Sequence, residues 1–421
     1  MVQQERLLFV AIAVFGIAAA SIACTAPSPK PNAIVAIAAD LPLAGRDGGD
    51  GIMALHAVAM AVADANRRSG QSLHFELEVR DTSRGGFQDP HTDEATDPIF
   101  DGAHGVEDVA AFAKDVKVLG VIGPYEDNVA HDVIPIAARD HLALLSASAR
   151  DDALTRAAKD RTFFRLCPPY FADALAAVQA EAGTRARRLF VTDDGSERAR
   201  SESRRFVDAI AGTSMTVVGR ESYGSSFQHL LGQLRQSRAD AVVYFGPAPT
   251  NVLMMTSGIA ARVLAPGRVR FMADSGFLPP AFTAAASGSP ASDYFTIWPD
   301  PIPHSSNAPA FEAAFRNEYA VAAPPAAAAY YTATQVLLAA ITSAAAACRC
   351  TPPRLAVDRE LRRIRSADSL IGPIEFGPSG ELRSWRMALV RIRGDGYDVI
   401  KELTVPPPPR PRSSSPTSHP R

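Results

Sequence analysis

The chain has 421 residues, 47% of them hydrophobic and 21% charged, with a formal net charge of -2. That length and apolar content suffice for two domains of ordinary size, each with its own core. The near-neutral balance gives no electrostatic reason to expect nucleic acid, whose binders usually need a clustered basic surface to displace counterions from phosphates. The arginines of Arg185 to Arg188 and of Arg198 to Arg205 read as solvated helix faces, the second group interspersed with acids.

Residues 1–24 differ in kind from the rest. Leu7 to Ala23 carries no charge, ends in "SIAC", and precedes a Pro/Ser-rich linker, "TAPSPKPN", at 25–32. The pattern is that of a bacterial export signal with a lipoprotein-type cleavage site, after which Cys24 is the lipidated first residue. Ser21 stands where such sites carry a larger apolar residue, so a plain signal peptide and an uncleaved anchor are the alternatives. The expected location is the periplasm or the outer face of the cell membrane. No second run reaches membrane-spanning length without a charge or a proline, which predicts a soluble mature protein.

From Ala33 onward, strands and helices alternate. "AIVAIAADLP" reads as a strand, "IMALHAVAMAVADANRRSG" as a helix with its apolar face at three- and four-residue spacing, and "LHFELEVRDTS" as the next strand. The segment Gly86 to Gly105, rich in acids with Pro, His91 and His104, reads as an exposed insertion; its histidines match no metal-ligand spacing. A helix at "VEDVAAFAKD" follows, then the strand "VLGVIG", a turn at Gly123-Pro124, a helix from about Asn128, and the strand "LALLSAS".

A second alternating series starts near Pro168 and runs through "RRLFVTDDG", "ERARSESRRFVDAIAG", "MTVVGRESY", "FQHLLGQLRQSR", "ADAVVYFGP", "TNVLMMTSGIAARV", "VRFMADSG" and "DYFTIWP". Two consecutive α/β series imply two parallel sheets flanked by helices, with a cleft between them lined by strand-end loops. Helices return at Ala308 to Tyr319, Ala326 to Ala347 and around Val357 to Arg365. "LIGPIEFGPSGELRSWRMALVRIRGDGYDVIKEL" then reads as antiparallel edge strands, and "VPPPPRPRSSSPTSHPR" as a disordered tail. The N-terminal lobe is expected at 33–166 and 300–384, the C-terminal lobe at 167–299 and 385–403, and the tail at 404–421.

Beyond Cys24 there are three cysteines. Cys348 and Cys350 are too close in sequence for an easy disulfide and make a poor metal site alone, whereas Cys167 could pair with either. No nucleophile elbow, P-loop, His-Glu-x-x-His or EF-hand pattern is present, and no cofactor or metal is implied. An enzyme assembled across the cleft from distant residues is the weaker alternative to a binding protein.

Several stretches together resemble the type I periplasmic substrate-binding proteins of the branched-chain amino acid transport family. They are "LPLAGRDG", "VLGVIGPYEDNVAHDVIPIA", "LALLSASARDDALT", "RTFFRLCPP", "ADAVVYFGP", "FMADSG" and "IGPIEFGPSGEL", in the family's order. The resemblance implies two Rossmann-like lobes joined by three crossovers and closing on a small polar ligand, a monomer, and an ABC transporter permease as partner.

The resemblance also locates a ligand site and marks its departures. Glu126 and Asp127 stand where the family carries small hydroxyl residues near a ligand carboxylate, which a helix N-terminus favours and two acids would repel. Capping of the helix behind them is the other reading. Ser148 keeps a small residue, but Arg150 replaces a Thr; it is expected to pair with Glu126 or Asp127 or to take a ligand carboxylate bidentately. Asp50 and Glu197 replace aromatics, Ala248-Pro249 replaces an aromatic pair, and Asp274 retains an acid suited to a ligand ammonium. So acid-rich a cleft favours a cationic or amine-bearing ligand. The expected role is that of an extracytoplasmic solute-binding protein of an ABC importer, with a sensing module of the same fold as the alternative.

Overall fold

The structure, a computed structural model, describes residues 33–45, 47–68, 72–83, 102–155, 162–222, 227–246, 270–274, 295–298, 306–393 and 396–407. Cys24, His91, the helix expected at "TNVLMMTSGIAARV", Ala248-Pro249 and the last residues of the tail lie outside them.

The first sheet is made by β1 (Ala33–Leu41), β2 (Leu73–Asp81), β3 (Val118–Ile122), β4 (Ala143–Ser146) and β5 (Phe163–Arg165), in the order β2-β1-β3-β4-β5. All its pairings are parallel. β3 reads "VLGVI" and is buried throughout, as a central parallel strand covered on both faces must be. The intervening helices are α1 (Gly48–Arg67), α2 (Gly102–Lys114) and α3 (Asp127–Arg139). α2 begins four residues before the expected "VEDVAAFAKD", so Gly102 to Gly105, read as part of the exposed insertion, form its first turn; His104 lies near Glu107 there.

The second sheet contains β6 (Arg188–Asp193), β7 (Thr216–Ser222), β8 (Ala241–Phe245), β9 (Arg270–Ala273), β10 (Phe295–Trp298), β13 (Trp385–Arg393) and β14 (Gly396–Val405), in the order β14-β13-β10-β9-β8-β6-β7. It is parallel from β7 to β10 and antiparallel where β13 and β14 close it. A short ladder joins β11 (Arg365–Ser366) to β12 (Ile374–Glu375). β14 runs to Val405, so the first two residues assigned to the tail are strand residues. α4 (Tyr170–Ala182), α5 (Glu197–Ile210) and α6 (Phe227–Ser237) belong to this series.

After β10 the chain goes back to the first sheet through α7 (Ala308–Tyr319), α8 (Pro325–Cys348) and α9 (Arg354–Arg363). α8 packs on α1, β3 and β4. Gly120 admits that approach: a Cβ there would lie 2.6 Å from a methyl of Leu337. Against the sequence reading, Ala326–Cys348 is long and apolar enough to cross a membrane, yet 56% of that stretch is buried in the fold. Its hydrophobicity serves the core of the first lobe.

Two further expectations are corrected. Cys348 and Cys350 form a disulfide, because Arg349 at the end of α8 adopts a left-handed conformation (φ 54°) that turns the chain back and brings the two Cα atoms within 5.2 Å. Cys167 is a buried thiol that donates to the Ala149 carbonyl. The arginines divide: Arg200 and Arg204 are exposed on α5 as expected, and the others are placed differently. Arg187 and Arg188 sit at the start of β6 and hydrogen-bond loop carbonyls, while Arg198 and Arg205 of α5 make ion pairs with Asp274 and Asp152.

Candidate functional site

In each sheet the strand order reverses once, between β1 and β3 and between β6 and β8. Such switch points leave a crevice outside the carboxyl ends of the strands, where ligands bind. In the first lobe they expose the loop after β1 with Asp47, the first turn of α1 with Asp50, and the turn from β3 into α3 with Glu126 and Asp127. In the second the corresponding loops are Asp194 to Ser196, leading into α5 after β6, and Gly246 after β8.

The turn after β3 rests on Gly123, which has φ 130° and whose Cβ would fall 2.6 Å from the Asp40 carbonyl, so only glycine fits. Ser146 Oγ donates to the Pro124 carbonyl (2.8 Å) and accepts from the Ala149 amide (2.9 Å). Ser148 Oγ donates to the Tyr125 carbonyl (2.7 Å) and lies 2.6 Å from the Tyr330 hydroxyl. Asp127 Oδ1 accepts from the amides of Arg150 and Asp151. The loops after β3 and β4 are thus fastened into one surface, and the Ser148 hydroxyl is spent on that fastening.

Glu126 occupies the N-cap of α3 without making a side-chain cap bond, so the capping role weighed for it is not taken. Both its carboxylate oxygens are buried and accept no hydrogen bond among the described residues. Burial raises its pKa to about 7, with Asp47, Asp127 and Asp81 adding to the rise and its own backbone amide opposing it. Asp50, exposed in the first turn of α1, is also raised, by burial and then by Asp47.

The opposite wall is a charge cluster. The Arg150 side chain pairs with neither Glu126 nor Asp127; its Nη2 lies 2.8 Å from Asp173 Oδ1 and its Nε donates to the Pro168 carbonyl at 2.8 Å. Reach explains the difference: the backbone of Arg150 is held by Asp127, and the side chain leaves in the other direction, toward α4. Tyr170 lies between two guanidinium groups, with Arg150 and Arg198 each 4.7 Å from its ring centroid. Arg198 donates to Glu202 at 2.7 Å and lies 3.7 Å from Asp274, which also accepts from the Gly246 amide at 2.7 Å.

Asp173, Glu202 and Asp274 are all buried, and one carboxylate oxygen from each falls within 4.8 Å of the others. Burial raises the Glu202 carboxyl well above its ordinary value, Asp274 and Asp173 raise it further, and Arg198 and Arg150 oppose them. The two arginines therefore supply the positive charge that three adjoining carboxylates demand.

Of the residues expected to bind ligand, Asp50, Glu126, Asp127 and Ser148 lie on the first wall and Asp274 on the second. Glu197 is exposed, and its neighbour Arg198 faces the cluster in its place. Sequence reasoning missed Tyr170, Asp173, Arg198, Glu202 and Tyr330. Only the Arg198/Glu202 pair carried a signal, an opposite-charge spacing of i,i+4 on a helix.

Two α/β lobes facing each other across a charged crevice at their switch points define a hinged two-lobe binding protein. Residues 94–397 match the family profile described as periplasmic binding protein, and the chain belongs to that family, which works outside the cytoplasm. No curated protein matches the sequence. Solved structures of similar fold include an ABC transporter substrate-binding protein from Desulfitobacterium hafniense in complex with leucine, with a TM-score of 0.69 and 17% identity over 87% of this chain and 100% of that one. A leucine binding protein from Thermotoga maritima has a TM-score of 0.66 and 20% identity over 89% and 99%. A solute binding protein from R. palustris in complex with benzoate has a TM-score of 0.64 and 18% identity over 89% and 97%. At these identities the likeness establishes the fold.

Proposed function

We propose that the chain is the solute-binding component of an ABC importer, closing its lobes on a small amine-bearing ligand and passing it to a membrane permease. Its role is binding without turnover, as a monomer held at the membrane by a lipid on Cys24. Membership of the periplasmic binding protein family and the solutes bound by proteins of the same fold support the class.

One observation carries the ligand chemistry. The Glu126 carboxylate is buried at the crevice, beside further acids and with no donor among the described residues, whereas Asp274 already holds Arg198 and an amide. A ligand ammonium gains a partner at Glu126, while at Asp274 it competes with a guanidinium. We therefore assign the ammonium to the first-lobe wall in preference to Asp274, where the resemblance alone would put it.

Isothermal titration of the chain from Thr25 onward with putrescine, lysine, leucine and glutamate tests the proposal. Putrescine or lysine should bind, and Glu126→Gln should weaken that binding at least tenfold. Binding of leucine or glutamate alone, undiminished in Glu126→Gln, would overturn it.

A further inference from the structure

A cavity of about 130 Å³ opens where the chain passes between the lobes, and none of the acids of the crevice lines it. Its walls come from both lobes and from the connections between them: Ala329 of α8, Leu166 after β5, Leu382 before β13, and Trp385 at the start of β13. Its lining mixes polar and apolar surface, with Arg386 and Ser384 among the polar side chains. Arg386 is half-buried, its stem lies against Gly372, and no described carboxylate pairs with its guanidinium. Trp385 also lines the cavity, with its indole N–H closed off from solvent. Ser384 adds a hydroxyl, and no acidic side chain lines the cavity.

The chemistry of these groups is one-sided. A guanidinium can only donate, and the Ser384 hydroxyl can join it. A guest with acceptor oxygens beside Arg386 and hydrocarbon elsewhere complements these donors. Arg presents two parallel donors to a carboxylate. Size sets the rest: a cavity of about 150 Å³ takes a benzene-sized guest, so the guest here has about six heavy atoms.

We propose that this cavity is a second ligand site, separate from the crevice between the lobes, that binds a small monocarboxylate with a short apolar chain. It holds the carboxylate at Arg386 and Ser384 and the chain against Leu166, Leu382 and Ala329.

The test uses butyrate, with butyramide as the uncharged control at matched ionic strength. The chain has two tryptophans, so Trp298→Phe leaves Trp385 as the sole indole reporter. Butyrate should change its fluorescence saturably and butyramide should not. Arg386→Gln should weaken butyrate binding at least tenfold and Ser384→Val should weaken it less, whereas Glu126→Gln should leave it unchanged. Should Arg386→Gln fail to fold by circular dichroism, Arg386→Lys, which keeps the charge but loses the paired donors, should still weaken binding at least threefold. The proposal is overturned by no saturable response, an equal response to butyramide, wild-type affinity in the folded Arg386 variant, or loss of binding in Glu126→Gln, which would assign butyrate to the crevice.

Discussion

Arg150 and Asp173 join the two lobes: the guanidinium leaves the loop after β4, and its Nη2 meets Oδ1 of the first helix of the second lobe at 2.8 Å. The Asp173 side chain is fully buried and that of Arg150 is 12% exposed. Removing one partner of such a pair leaves a charge in a low-dielectric site and costs about 3–5 kcal/mol, whereas replacing both is often close to neutral. Arg150→Met should therefore lower the unfolding free energy by about that amount in urea, and Arg150→Met with Asp173→Leu should recover most of it. Equal losses in the single and double variants would show that the pair does not act as a unit.

Glu126 makes stability fall as pH rises. Its folded pKa, about 7, lies above the ordinary carboxylate value of 4.5, so between these values the folded state holds more of the proton than the unfolded state. Stability is then lost with rising pH across this window, at a total cost of about 3 kcal/mol that is fully present above pH 7. Glu126→Gln should be the more stable protein at pH 8 and equal to the wild type below about pH 4.5, as read from urea midpoints at each pH. A difference independent of pH would remove the titration from the explanation.

Arg198 stands in for a cation among Asp173, Glu202 and Asp274. With Arg198→Ala the three buried oxygens, within 4.8 Å of one another, keep the spacing of an oxygen-ligated metal site and lose a charge that opposes it. Calcium should then raise the melting temperature of the variant and leave the wild type unmoved, since a ligand at a hundred times its dissociation constant stabilises by about 2.7 kcal/mol. Identical calcium responses in the two proteins would exclude the substitution of arginine for a cation.

Gly380 holds the last connection to the second lobe against β5. It has φ 86°, its carbonyl accepts from the Arg165 amide at 2.9 Å, and a Cβ on it would lie 2.0 Å from the Phe163 carbonyl oxygen. The neighbouring Glu381 forms a buried ion pair with Arg165. Gly380→Ala adds left-handed strain to a backbone collision and should cost at least about 3 kcal/mol by urea denaturation. A loss below 1 kcal/mol would mean that this connection moves freely.

What could be read in advance follows from the range of the forces involved. β3 and β8 are legible because buried parallel strands must be continuously apolar, and the alternation of such runs with amphipathic helices dictates two sheets. The turn at Gly123-Pro124 was legible for the same local reason. The partner of Arg150 was not, since a long side chain from a fixed backbone can leave in several directions and residues distant in sequence decide which one is taken. Glu197 and Arg198 show how fine the margin is: neighbours on a helix differ by about 100° in direction, so one position separates an exposed acid from a buried cluster. Cys348 and Cys350 were misjudged because the left-handed turn at Arg349 has no sequence signal, arginine being unremarkable at a helix end.

The cluster around Arg198 also bears on how this cleft can change by descent. Asp173, Glu202 and Asp274 are held by α4, α5 and the end of β9, and their charge is met from within by two arginines. One substitution at position 198 would hand three preset carboxylates to whatever cation the surroundings supply, with no strand or helix displaced. A lineage carrying this scaffold thus keeps a second specificity in reserve, a single residue away from expression.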